Sequence, residues 1–296
     1  MQNKKSGKIT LLGTGLMGSA MAKAMLSAGY TISVWNRTQS KCAPLEDCGA
    51  TVFSSAEAAI ATSDIIFLVI SDYASSVALI ADADLHGKTV VQLATGGIED
   101  AVALEKLCAA RGALGYMDVK VMTYPSHIGT PGGLLLASGR PDVFARQETL
   151  FKSFGNCRFV GEDVSAATTV MFAWSVHFQV GLAGVLESIG AAGALGVDPK
   201  IVFEIASVLG SDVEGILTRW QDAASRPGPP PAGISGTVND YLVAADLILG
   251  STEKAGVTLP VMSAVRSTFG QWADQGFGYA DIEAAFQASR IQSLRN

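Results

Sequence analysis

Apolar residues recur along the first half of the chain in two rhythms. Short runs such as KITLL at 8–12 and TISVWN at 31–36 have the length of strands. Between them SAMAKAMLSAG carries apolar positions at helical spacing and closes on Gly29. Together they predict a β-α-β unit in about thirty residues, enough for two parallel strands and a crossover helix. The alternation continues with strands predicted at Ala50–Phe53, Ile65–Ile70, Thr89–Leu93, Gly115–Val121 and Gly133–Ser138, and helices at Ala56–Ala61 and Glu99–Arg111. Such a sequence folds as a doubly wound, mostly parallel α/β sheet. After Asp163 no strand is predicted. Asp198-Pro199 opens one helix, Val238–Ser251 and Leu259–Gln275 read as others, and RPGPPPAG at 226–233 reads as a rigid loop. The expected architecture is an α/β domain over 1–162, a long interdomain helix over about 163–195, and an all-α C-terminal domain within 163–296.

Composition narrows the class of partner. With 49% apolar and 16% charged residues in a chain of 296, the protein reads as ordered and globular. A net charge of −6 without a basic block argues against nucleic acid. Cys42, Cys48, Cys108 and Cys157 are irregularly spaced, form no Cys-x-x-Cys pair and lack neighbouring histidines, so no metal site is expected. They read as reduced thiols of a cytoplasmic protein. The start, MQNKKSGKITLLG, lacks the length and cleavage site of a signal peptide.

The chemistry begins at Gly13-Thr14-Gly15-Leu16-Met17-Gly18, a G-x-G-x-x-G loop between a predicted strand and a predicted helix. In a Rossmann unit the first glycine permits the turn, the second admits a pyrophosphate to the backbone, and the third lets helix and strand pack closely. Helix-start amides, including those of Leu16 and Met17, then face the phosphates. At the end of the second strand, where an NAD-preferring site places a carboxylate, stand Asn36, Arg37 and Thr38, with Lys41 one turn on. A guanidinium can fork onto a 2′-phosphate, so the spacing favours NADP(H). Ser71 and Asp72 after the fourth strand, and Gln92 and Ala94 at the end of the fifth, are further cofactor candidates, because strand carboxyl ends face the dinucleotide in this fold.

The segments GTGLMGSAMAKAMLSAGYTISVWNRT from Gly13, MTYPSHIGTPGGLLLASG at 122–139 and GED at 161–163 resemble the β-hydroxyacid dehydrogenase superfamily, and within it the imine reductases and reductive aminases. The resemblance implies a Rossmann domain followed by helices, NADPH as cofactor, and an intertwined homodimer around the interdomain helix. Hydroxyacid dehydrogenases of that superfamily use a lysine on this helix and a serine in the substrate loop. Here Val170 or Met171 occupies the lysine's place and Met122 the serine's. Neither valine nor methionine can move the alcohol proton. Imine reductases place aspartate or tyrosine there, and this chain departs from them too. An iminium that arrives protonated, however, needs no donor at that position.

His177 lies on the same helical face as Val170 and Trp174, at i+7 and i+4, with Met171 beside it. Its imidazole could replace the missing donor, directly or through water, or could simply be held within helix packing. Trp174 could stack on a cationic substrate or serve as core. Tyr124, Asp212 and Trp220 complete the candidate pocket. The leading expectation is an NADPH-dependent reductase of a cyclic imine or iminium, with reductive amination also open. A 3-hydroxyacid dehydrogenase or short-aldehyde reductase, and a catalytically silent NADP-binding protein, are the alternatives. The apolar length of 163–195 suits a membrane span by count, but its place after a cofactor domain and its Glu187 favour burial in a dimer.

Overall fold

Eight strands build a sheet in the order β3-β2-β1-β4-β5-β6-β7-β8, and its centre is made of the apolar runs visible in the sequence. The computed structural model describes residues 5–209 and 236–286. β1 (Lys5–Leu12), β2 (Tyr30–Trp35), β3 (Thr51–Val52), β4 (Ile65–Leu68), β5 (Thr89–Gln92) and β6 (Gly115–Val121) are parallel. β7 (Leu134–Gly139) pairs antiparallel with β6, and β8 (Asn156–Gly161) runs parallel to β7 along the edge. The strand order reverses at β1, whose neighbours are β2 and β4. A doubly wound sheet opens its ligand crevice at such a reversal.

Alternation along the strands divides the core between the two faces. Ile9, Leu11 and Phe67 join α1 (Leu16–Ser27) and the aromatic residues Phe151 and Phe154 on one side. Leu12, Ile66 and Leu68 join Ile80, Leu104 and Cys108 on the other. The intervening helices are the short α2 (Ala43–Glu46), α3 (Ala56–Ala61), α4 (Tyr73–Ile80), α5 (Ile98–Ala110) and α6 (Pro141–Phe151). Apart from the one-turn α2, the sequence reading omits β8, α4 and α6. Each has a physical reason: β8 is an edge strand with alternating exposure, α4 spans only two turns, and α6 has a sparse apolar stripe behind Pro141.

α7 (Ala166–Ala194) follows, then α8 (Pro199–Leu209), α9 (Val238–Lys254) and α10 (Pro260–Trp272). The chain divides into two compact units, Met1–Ser175 and Val176–Asn296, the division falling within α7. α7 is long and apolar enough to cross a membrane by length and composition, and none of its most apolar window is buried. Within the second unit, α10 begins at Leu259 without a side-chain cap of its own. The Glu187 carboxylate on α7 supplies one, accepting from Val261 N–H at 2.6 Å and Met262 N–H at 3.0 Å. Negative charge at a helix start is favourable, and hydrogen bonds to a charged group are stronger than neutral ones. Glu187→Ala is expected to cost roughly 2 kcal/mol, read as a lower urea midpoint for helix unfolding with the α/β unit unaffected.

All four cysteines are free. Cys42 and Cys108 are buried and Cys48 is exposed. Burial pushes the thiols of Cys108 and Cys157 up to about 12, Glu105 adding to the effect at Cys108.

Candidate functional site

The loop after β1 is shaped by what each glycine excludes. Gly13 has φ +103°, and a Cβ there would lie 2.2 Å from the Val69 carbonyl oxygen. A Cβ on Gly18 would lie 1.9 Å from the Gly13 carbonyl oxygen, so α1 approaches the end of β1 only because Gly18 lacks one, while the bare Gly13 makes room for the chain leaving β4. Gly15 is different: a Cβ would meet nothing within 4 Å. It caps α1 with extended backbone that any residue adopts, no side chain caps the helix start, and the first turn carries no acid. Free amides facing open space suit an anion.

Asn36 sets the far side. Its Oδ1 accepts from Thr14 N–H at 3.1 Å and its Nδ2 donates to the Thr38 carbonyl at 3.0 Å, tying the glycine loop to the turn after β2. Between these turns and the end of β4 lies a cleft of about 440 Å³. It brings together Gly13, Gly15, Asn36, Arg37, Thr38, Lys41 and Ser71, with Trp35, Ile70 and Leu79 as apolar lining. Arg37 and Lys41 are exposed, and no ion pair engages either among the described residues. The residues present therefore fit a dinucleotide: room beside Gly15 for pyrophosphate, an apolar wall for adenine, and two cations where a 2′-phosphate would stand.

The remaining cofactor candidates sort differently. Leu16 is 85% exposed beside the cleft, whereas Met17 packs against the core. Asp72 caps α4, accepting from Ser75 N–H at 2.7 Å. That bond, aided by the Ser71 hydroxyl, lowers its pKa. The expectation for Gln92 and Ala94 is corrected, because both are buried. The Gln92 side chain donates to Ser76 Oγ at 2.7 Å and accepts from Leu93 and Ala94 N–H, so its amide braces the loop instead of facing a ligand.

Of the pocket candidates, Met122 is half-buried where the hairpin leaves β6, its N–H donating to the Leu134 carbonyl at 2.9 Å. Tyr124 is 68% exposed, with its ring edge-on to His127, and His127 is braced by Thr123. Val170, Trp174 and His177 are exposed along α7, and Met171 is half-buried. Asp212, Trp220 and the 226–233 loop lie outside the described residues. Among the described residues no group of three or more His, Cys, Asp or Glu could hold a metal.

Sequence reasoning missed one polar cluster entirely. Tyr73, Tyr116, Asp118 and Lys120 meet under the ends of β4, β5 and β6, all buried. Tyr73 Oη donates to Asp118 Oδ2, and Lys120 pairs with Asp118 Oδ1 at 2.7 Å. Burial raises the Asp118 pKa against the opposing pull of Lys120, and burial with the Asp118 charge raises those of both tyrosines. The local signal was an aspartate and a lysine two positions apart inside a strand-like run.

The fold and cleft define a nicotinamide-dinucleotide-binding domain of the doubly wound type. The pattern of the NAD-binding domain of 6-phosphogluconate dehydrogenase matches residues 8–161, and the chain belongs to that family. A reductive aminase from Aspergillus terreus, solved with NADPH and ethyl-5-oxohexanoate, superposes with a TM-score of 0.87 at 26% identity, over 96% of this chain and 99% of that one. An imine reductase from Pseudomonas sp. gives 0.87 at 28% identity, over 96% and 100%. An NADPH-dependent reductive aminase of Aspergillus oryzae is 32% identical across 55% of this chain and 56% of its own length. The chain also matches the cytokine-like nuclear factor N-PAC of Drosophila melanogaster at 24% identity over 95% of its length, while spanning only 47% of that relative.

Proposed function

We propose that this protein is an NADPH-dependent reductase of C=N bonds, acting on a cyclic imine or iminium, with reductive amination within its reach. The observation that carries this reading is the near full-length likeness to a reductive aminase solved with NADPH, combined with a cleft whose exposed cations are Arg37 and Lys41. NADPH, when bound, supplies a hydride. The chain's own part is to grip the 2′-phosphate through Arg37 and Lys41, to receive the pyrophosphate at Gly15 and the start of α1, and to exclude water from the reacting carbon. Val170 and Met171 hold no proton, which suits a substrate already protonated on nitrogen: hydride at the carbon then leaves a neutral amine. His177 is exposed on the same helix and is our candidate donor when the imine arrives neutral.

A second copy of the chain, rather than lipid, is the proposed cover for α7. Val176 is 67% and Leu186 61% exposed, yet Glu187 in the same helix is spent as a cap within the second unit. A carboxylate in the middle of the apolar stretch argues against lipid around it. The free cysteines suit a reducing, cytoplasmic setting.

The assay is NADPH consumption with 2-methylpyrroline, a dihydroisoquinoline and succinic semialdehyde, and NADP+ reduction with 3-hydroxyisobutyrate. Turnover of the imines alone is expected. Turnover of only the oxygen substrates would transfer the chain to the hydroxyacid dehydrogenases, and cofactor binding without any turnover would make it a silent binding protein. His177→Ala is expected to lower imine turnover at least about tenfold with little change in melting temperature. Unchanged kinetics in the folded variant would remove His177 from the mechanism.

A further inference from the structure

The buried cluster on β6 serves no need of the cleft as so far described, and its centre is a lysine where a core strand would ordinarily carry an apolar residue. Lys120 is 2% exposed and Asp118 0%. An ammonium has three N–H donors. Two are donated, to Tyr73 Oη at 2.9 Å and to the Ala94 carbonyl at 3.0 Å, and the charge pairs with Asp118 Oδ1 at 2.7 Å. The three partners come from three segments, namely β6 itself, the first residue of α4, and the turn after β5. A buried ion pair seldom stabilises a fold more than apolar packing of the same volume would. What this one does is fix where three pieces of backbone stand.

Those pieces bear on the cofactor. Tyr73 follows Ser71 and Asp72 directly, and Ser71 and Ser75 are walls of the dinucleotide cleft. Asp72 pairs with Thr95 through an isolated β-bridge, so the exits of β4 and β5 move together. The Tyr73 ring lies against Gly96 so closely that a Cβ there would sit 2.2 Å from it. Lys120 therefore holds the turn after β5 by its carbonyl and the turn after β4 by the tyrosine hydroxyl. The strand carboxyl ends on which a dinucleotide lies in this fold include both. The cluster has no path to a proton-transfer role, since Tyr73 and Asp118 are sealed from solvent.

We propose that Lys120 is a positioning residue for the dinucleotide: from beneath the sheet ends, without touching the cofactor, it locks the β4–α4 and β5–α5 turns in the arrangement that receives it. The inference rests on the dinucleotide reading of the cleft.

The test measures the Kd of NADPH and of NADH by nucleotide fluorescence on the full chain, alongside the melting temperature, for wild type, Lys120→Met and Tyr73→Phe. Tyr73→Phe is the gentler change, removing one acceptor while keeping the ring against Gly96. Lys120→Met is expected to weaken both nucleotides by about tenfold, the worth of one charged hydrogen bond. This should appear at temperatures where the variant is fully folded, and in the KM for NADPH rather than in kcat. The preference for NADPH over NADH should stay as in wild type, because Arg37 and Lys41 are untouched. Tyr73→Phe should shift both Kd values in the same sense by less. Folded variants that bind as wild type does, whatever their melting temperature, overturn the proposal. If Lys120→Met does not fold, an unchanged Kd in Tyr73→Phe overturns it alone. Wild-type protein that binds neither nucleotide overturns the dinucleotide reading and this inference together.

Discussion

Replacing Gly15 by valine is expected to leave the melting temperature within a degree or so of wild type and to weaken NADPH binding by about a hundredfold or more. The two halves of that result come from the same geometry. Gly15 has ordinary extended backbone, and nothing in the protein stands within 4 Å of where its Cβ would be, so the folded chain accepts the side chain without adjustment. The space it fills is the approach to the α1 amides. Gly18→Val gives the contrasting result: there the Cβ would stand 1.9 Å from the Gly13 carbonyl oxygen, and helix and strand must separate for the protein to fold at all. The pair of variants separates a glycine kept empty for a ligand from one kept empty for packing. Nucleotide titration and thermal unfolding of both check it. A Gly15→Val protein that binds NADPH like wild type would move the pyrophosphate elsewhere.

The second large effect concerns the choice between cofactors. Arg37→Ala combined with Lys41→Ala is expected to weaken NADPH by roughly ten- to a hundredfold while changing NADH little, since a 2′-phosphate is what the two cations would hold. Both side chains line the cleft, are exposed, and have no competing carboxylate among the described residues. The Coulomb contribution falls with salt, so the difference between the nucleotides should narrow as ionic strength rises. Equal losses for NADPH and NADH would mean that Arg37 and Lys41 act on the common part of the nucleotide.

The reach of the sequence differed between the two faces of the problem. Strands buried on both sides, β1, β4 and β5, announce themselves as apolar runs because a polar side chain there must find a partner. The glycine loop was legible for a similar reason, as steric exclusion leaves a nearly unique residue choice. β8 escaped notice because an edge strand needs only one apolar face, and NCRFVG shows little of it. The reversal at β7 has no local signature: Leu134–Gly139 looks alike whichever way it runs. Site residues followed the same division. Asn36, Arg37 and Lys41 sit where strand-end logic places them, but Gln92 points its amide inward to Ser76. Lys120 acquires its meaning only when Tyr73 and Ala94, 47 and 26 positions away, arrive beside it.

The cysteines give the protein a built-in clock. Cys48 is open to reagents at all times, whereas Cys108 on α5 and Cys157 on β8 have thiols held protonated at neutral pH by their surroundings. Alkylation of the buried Cys42 and Cys108 must wait for the local structure to open, whereas half-buried Cys157 is slowed by its raised thiol alone. With Cys48 and Cys157 blocked first, the rate at which a thiol reagent consumes Cys42 and Cys108 counts openings at the start of α2 and of α5, and a nucleotide that tightens the α/β unit should slow that count.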